Sequence, residues 1–150
     1  QGAGVLMATP AGYSGTPLAQ KLGLKDGQRV LFLDLPDDLS DLARSRDYAA
    51  TNRSGWDGLD RAVGLDLIHG FTASRAVLED NAKPLMAAIN PSGSIWISWP
   101  KRASKVPTDI TEDTIREVVL PIGLVDVKVA AVSEIWSGLK LMIRKELRGK

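Results

Sequence analysis

Cysteine is absent from the 150-residue sequence, and histidine occurs once, at His69. These two shortages exclude thiol nucleophiles, disulfide frameworks and nearly every zinc or iron site, so no metal centre is expected beyond an oxygen-ligated ion such as magnesium. Charge of one sign is also lacking. Nineteen basic residues oppose eighteen acidic ones, a net charge of +1, which gives no overall field for a nucleic acid or an anionic membrane. Any anion site must therefore be local, and no nucleic-acid partner is expected. No run reaches the ~18 apolar residues of a membrane span, and QGAGVLMATP at the start lacks the cationic lead and apolar core of a signal peptide. A cytoplasmic protein without membrane association is the expectation.

What is present is the composition of a globular domain, with 44% apolar and 25% charged residues. A chain of this length buries about 70% of the surface its unfolded form exposes, so neither disulfide nor metal is needed for stability. No repeat or low-complexity tract divides it. It reads as one domain over residues 12–148 behind a flexible segment over 1–11. Gln1 to Leu6 read as tag-derived residues ahead of a natural start at Met7, because Gln-Gly is a common cleavage junction.

Along the chain, strand and helix alternate. Ser14-Gly15-Thr16-Pro17 opens a short helix that Gly23 stops, and Arg29 to Leu35 is an apolar strand covered on both faces. Pro36-Asp37-Asp38 starts a second short helix over Leu39 to Arg44. A short strand is expected around Tyr48 to Thr51, and Ser54 to Gly58 reads as a turn. Ala62 to Phe71 is apolar, and the helix after it carries Leu78, Ala82, Leu85, Met86 and Ile89 on one face, with a kink or split expected at Pro84. Asn90 to Gly93 reads as a turn into the central strand Ser94 to Trp99. Thr111 caps a helix with Ile110 and Ile115 as a hydrophobic staple. Val125 to Val132 and Leu139 to Lys145 then form an antiparallel hairpin across Ser133 to Gly138. The pattern predicts a compact α/β Rossmann-like fold, a mostly parallel sheet with helices on both faces and a C-terminal antiparallel hairpin.

In such sheets ligands bind beyond the carboxyl ends of the strands, where strand order reverses. Three segments should meet there: Asp34 to Asp38, His69 to Ser74, and Ser98 to Asp109. The first lacks the glycines that let a backbone approach a nucleotide, and Asp37 and Asp38 oppose an anion at the helix start. The third, SWPKRASKVPTD, offers cations and hydroxyls beside a helix N-terminus. Ser98, Trp99, Lys101, Lys105, Thr108 and Asp109 are therefore candidate ligand residues, and Trp99-Pro100 is a candidate cis bond. His69 joins them as the one side chain that titrates near neutrality, although no nucleophile accompanies it: Gly12-Tyr13-Ser14-Gly15-Thr16 misses the G-x-S-x-G elbow. Trp56 and Trp136 fall in predicted loops, where a large aromatic serves as ligand contact, partner contact or cover.

Tyr13-Ser14-Gly15-Thr16-Pro17-Leu18, Asp66-Leu67-Ile68-His69, Ser98-Trp99-Pro100-Lys101, Thr108-Asp109 and Trp136-Ser137-Gly138-Leu139-Lys140 together resemble the bacterial domain of unknown function 3052 family. The resemblance runs from Gly12 to Arg148. It implies a small cytoplasmic bacterial protein and brings no reaction with it. More distantly, Gly23 to Leu33, Asn90 to Ser98 and Gly123 to Lys145 resemble class I S-adenosylmethionine-dependent methyltransferases, without their glycine loop. Two readings follow. The leading one is a non-catalytic module binding a small anion or a protein through Ser98 to Asp109. The alternative is a methyltransferase with a degenerate loop, in which Asp34 holds part of S-adenosylmethionine. A third use of the closing hairpin and Trp136 would be a homodimer surface.

Overall fold

A computed structural model describes residues 17–149. The expectations for Gln1 to Leu6, for the start at Met7, for the segment 1–11 and for Ser14 to Thr16 lie outside the described residues. Helix α1 is a single turn, Leu18–Lys21, ended by Gly23 at φ 79°. Six strands follow in chain order: β1 Arg29–Leu33, β2 Ala50–Ser54, β3 Leu65–Phe71, β4 Ile89–Pro100, β5 Leu124–Ala131 and β6 Trp136–Ile143. They form one sheet in the order β2-β1-β3-β4-β6-β5. The first four are parallel, while β6 runs antiparallel to both β4 and β5. This is the predicted fold class, and no described helix is long and apolar enough to cross a membrane.

Alternation along each strand divides the core in two. Leu31, Leu33, Ile68, Ile95 and Ile97 face helices α2 (Arg75–Ala88) and α3 (Glu112–Val119). Val30, Phe32, Leu67 and Trp96 face α1 and a 3-10 helix over Asp37–Arg44. The N-terminus of α3 carries the predicted cap. Thr111 accepts from Thr114 N while the Thr114 side chain answers the Thr111 N–H, and Ile110 and Ile115 are both buried.

Several local expectations change. Helix α2 runs through Pro84 without splitting, and Ile89 leaves it to begin β4. Residues 90–93, expected as a turn, lie within that strand as a bulge. Leu65 pairs with Ile89 but Leu67 pairs with Ser94, so four residues of β4 oppose a single one of β3. Ser54 to Gly58 continues into a 3-10 helix, Trp56–Arg61. Trp136 to Gly138 belong to strand β6 instead of a loop, because Gly138 has no side chain to meet Trp96 and Ser98 on the paired strand. Among the described residues no peptide bond is cis, so Trp99-Pro100 is trans.

Candidate functional site

From β1 the chain moves outward to β2 and then returns across β1 to β3, so strand order reverses between β1 and β3. Asp34 stands at the end of β1 there. Its φ of 54° lies in the left-handed region that glycine adopts freely and other residues rarely do. The Asp34 amide donates to Ser54 O at 2.8 Å, which fixes the turn against the end of β2. A second carboxylate arrives from the Trp56–Arg61 helix. A Cβ placed on Gly55 would stand 3.0 Å from Asp57 Oδ1 and 3.6 Å from Asp34 Oδ1, so the two carboxylates converge over that glycine. Partial burial of its carboxyl and then the Asp57 charge raise the Asp34 pKa above its ordinary value, although the residue as a whole is exposed.

Trp56 walls this corner. Its Nε1 donates to Phe71 O at 3.0 Å, and its ring lies on Gly70, where any Cβ would approach Cη2 to 2.4 Å. Gly70 is therefore required by close approach of the indole. Trp136 meets Phe71 edge-on at 5.2 Å. Both tryptophans act here as covers of the β3 end.

The expected residues of the third segment separate into three groups. Trp99, Lys105 and Thr108 line one cavity of about 460 Å³, together with Arg102 and Thr111 at the start of α3. Thr108 and Asp109 also serve a structural purpose. Thr108 Oγ1 donates to Ala73 O at 2.8 Å, and Asp109 Oδ1 accepts from Arg75 N at 2.7 Å, capping α2. These bonds tie the loop after β4 to the loop after β3. Lys101 sits apart, half-buried, its amide donating to Ile135 O at 2.7 Å.

Ser98 and His69 form the third group, beneath the sheet edge on the α1 side. His69 is wholly buried, with Nε2 and Ser98 Oγ 2.7 Å apart and Phe71 stacked on its ring at 4.2 Å. Nδ1 has no partner among the described residues. Burial depresses the His69 pKa to about 3, so the imidazole is neutral at pH 7 and its nitrogens face no solvent. It acts as a polar core residue, in a pair with Ser98 that the sequence does not announce.

Asp57 is the site residue the sequence reading missed. The signal was Ser54-Gly55-Trp56-Asp57-Gly58 directly after a strand, visible only once β2 is placed at Ala50–Ser54.

No protein-family model and no curated protein sequence matches the chain. Solved structures do. A SAM-dependent methyltransferase from Aquifex aeolicus superposes with a TM-score of 0.63 at 15% identity, over 83% of this chain and 86% of that one. A TehB-like SAM-dependent methyltransferase from Corynebacterium glutamicum gives 0.52 at 14% identity, over 89% and 90%. The fibrillarin pre-rRNA processing protein of Methanococcus jannaschii gives 0.56 at 13%, over 84% and 69%. The fold is thus that of the Rossmann-like methyltransferases.

Proposed function

We propose that the chain is an S-adenosylmethionine-dependent methyltransferase with altered loop chemistry, taking its cofactor across the carboxyl edge of β1 and β3. One observation carries the reading: Asp34 makes, at φ 54°, the turn that a loop glycine would make, at the point where strand order reverses. The chain thereby keeps a glycine-like backbone course while presenting a carboxylate.

The residues present fit the hydroxyl-bearing and cationic parts of this cofactor. Asp34 and Asp57 converge over Gly55, where they would accept hydrogen bonds from ribose hydroxyls or an ammonium. The raised pKa of Asp34 marks a carboxylate in need of a donor or a cation. Asp37 and Asp38, which oppose an anion in the sequence, are exposed, and Asp37 Oδ1 lies 3.8 Å from Arg53 Nη2. Trp56 would shield one side of the corner from water. When bound, the cofactor supplies an electrophilic methyl group on a sulfonium. Membership of the domain of unknown function 3052 family, with a bacterial cytoplasmic setting, belongs to the same reading and rests on the motifs from Tyr13 to Lys140.

Calorimetry with S-adenosylmethionine and S-adenosylhomocysteine tests it. Binding is expected in the wild type and at least about tenfold weaker in Asp34→Ala, a loss of about 1.4 kcal/mol. No heat and no melting shift at millimolar ligand would remove the proposal.

The cavity beside Trp99 supports a second reading, a non-catalytic module for a small anionic ligand or an acidic partner. Arg102 and Lys105 line it next to the start of α3. Arg102→Ala combined with Lys105→Ala should then abolish stabilisation by small anions, and equal thermal shifts in wild type and variant would sink it.

A further inference from the structure

On the α1 side of the sheet, three strands place Trp96, Lys140 and Lys128 in one row. Trp96 pairs with Lys140 across β4 and β6, and Lys140 pairs with Lys128 across β6 and β5. Residues paired in this way project to the same face. Trp96 is wholly buried, and Lys128 Nζ stands 6.0 Å from its ring centroid. Trp96 Nε1 donates to Leu22 O at 2.8 Å, which draws the end of α1 over the row and sets Lys25 three residues further on. Lys21 Nζ reaches Ala131 O on the same hairpin at 3.4 Å.

Like charges directly opposite on adjacent strands are destabilising unless a counter-charge intervenes. None does. Two residues along each strand on this face stand Ser94, Ser98, Gly138, Met142 and Ala130, all uncharged. Asp126, two residues before Lys128, is turned to the other face by the register shift between them, where it pairs with Leu141 and accepts from Arg116 Nε at 3.0 Å. Among the described residues every ion pair is made by an arginine, and none by a lysine. Residues 1–16 contain neither Asp nor Glu, so they have no carboxylate side chain to offer. The attraction of Lys128 for the indole face holds the ammonium in place without cancelling its charge. Burial, then Lys128, then Lys25 push the Lys140 pKa below its ordinary value, as expected of an uncompensated cation.

We infer that Lys25, Lys128 and Lys140 form a seat for a phosphate group, separate from the Asp34 corner and independent of the methyltransferase reading. A phosphate carries more than one negative charge on a single group and can face several ammonium donors together, whereas a carboxylate brings one charge. A free phosphorylated metabolite offers that group directly, whereas a nucleic-acid backbone carries one charge per phosphate and would match the row by presenting successive phosphates.

Inorganic pyrophosphate and a short single-stranded oligonucleotide, each titrated into the whole chain, separate the two sources. At least one should bind, with affinity falling about tenfold or more in Lys128→Ala and in Lys140→Ala. If the oligonucleotide binds, its log K should fall with log salt by about 0.7 per phosphate contacted, and each lysine removed should flatten that slope by about one contact. Binding of pyrophosphate alone assigns the seat to small phosphorylated ligands. Lys128→Glu should abolish binding and raise the melting temperature, because it replaces a repulsive cross-strand pair with an attractive one. Failure of both ligands to bind, undiminished binding in the double variant Lys128→Ala/Lys140→Ala, or a Lys128→Glu protein no more stable than wild type would each overturn the inference.

Discussion

On one face of the sheet Leu31, Leu33, Ile68, Ile95 and Ile97 meet α2 and α3 in a layer of aliphatic side chains; on the other, Phe32, Phe71 and Trp96 share space with His69, Ser98 and a row of lysines. The first face is closed by two helices of 14 and 8 residues. The second is covered, within the described residues, by one turn of α-helix and a 3-10 segment. Apolar area removed from water is non-directional and tolerant of detail. Buried polar groups and like charges are not, since each needs a particular partner. The aliphatic face therefore holds the fold together, and departures from simple packing gather on the other face and at the carboxyl edge.

The largest expected way to break this contrast is acid. His69 titrates near 6.5 when unfolded and near 3 when folded, so below about pH 6.5 the unfolded chain binds a proton that the native chain refuses. Stability is then fully present above pH 6.5 and falls by about 1.4 kcal/mol per pH unit down to about pH 3, roughly 4–5 kcal/mol in all. In urea titrations at several pH values, His69→Leu/Ser98→Ala should lose this slope whatever its stability at pH 7. A variant retaining the wild-type slope would show that other groups govern it.

Gly70→Ala probes the opposite face. Its Cβ would collide with the Trp56 ring, whose Nε1 is tied to Phe71 O, and a cost of about 1–3 kcal/mol is expected in denaturant unfolding. Asp34→Gly should act in the other direction. Relief of the left-handed backbone stabilises the chain by about 1 kcal/mol, while the proposed cofactor affinity falls, and a gain in both would contradict the assigned role. The smallest effect is expected from Lys128→Glu, a gain of about 0.2–1 kcal/mol from one cross-strand pair, diminishing as salt is raised.

Much of the frame was legible because its signals are local. Arg29 to Leu35, which the Asp34 turn cuts short at Leu33, Ser94 to Trp99 and the closing hairpin announce themselves by apolar runs, and Thr111 with Ile110 and Ile115 announces the start of α3. Ala50–Ser54 was legible only in part, because an edge strand reading ATNRS has no apolar rhythm and exists through its pairing with β1. The bulge over residues 90–93 carries turn residues and reads as a turn, although β3 pairs on both sides of it. Of the candidate ligand residues, Trp99, Lys105 and Thr108 do meet at one cavity. His69 with Ser98, and Lys101, go elsewhere, because a strand's alternation sends neighbours in sequence to opposite faces of the sheet.

By itself the sequence determined the fold class, the stop of α1 at Gly23, the start of α3 at Thr111, and the absence of a glycine loop after β1, since each depends on residue types within a few positions. Tertiary structure decided that Asp34 adopts a glycine-like turn, that Asp57 joins it, that His69 is a buried neutral partner of Ser98, and that Lys128 opposes Lys140. Those outcomes depend on strand order and register, which bring together residues far apart in the chain and settle which charges are left without a partner.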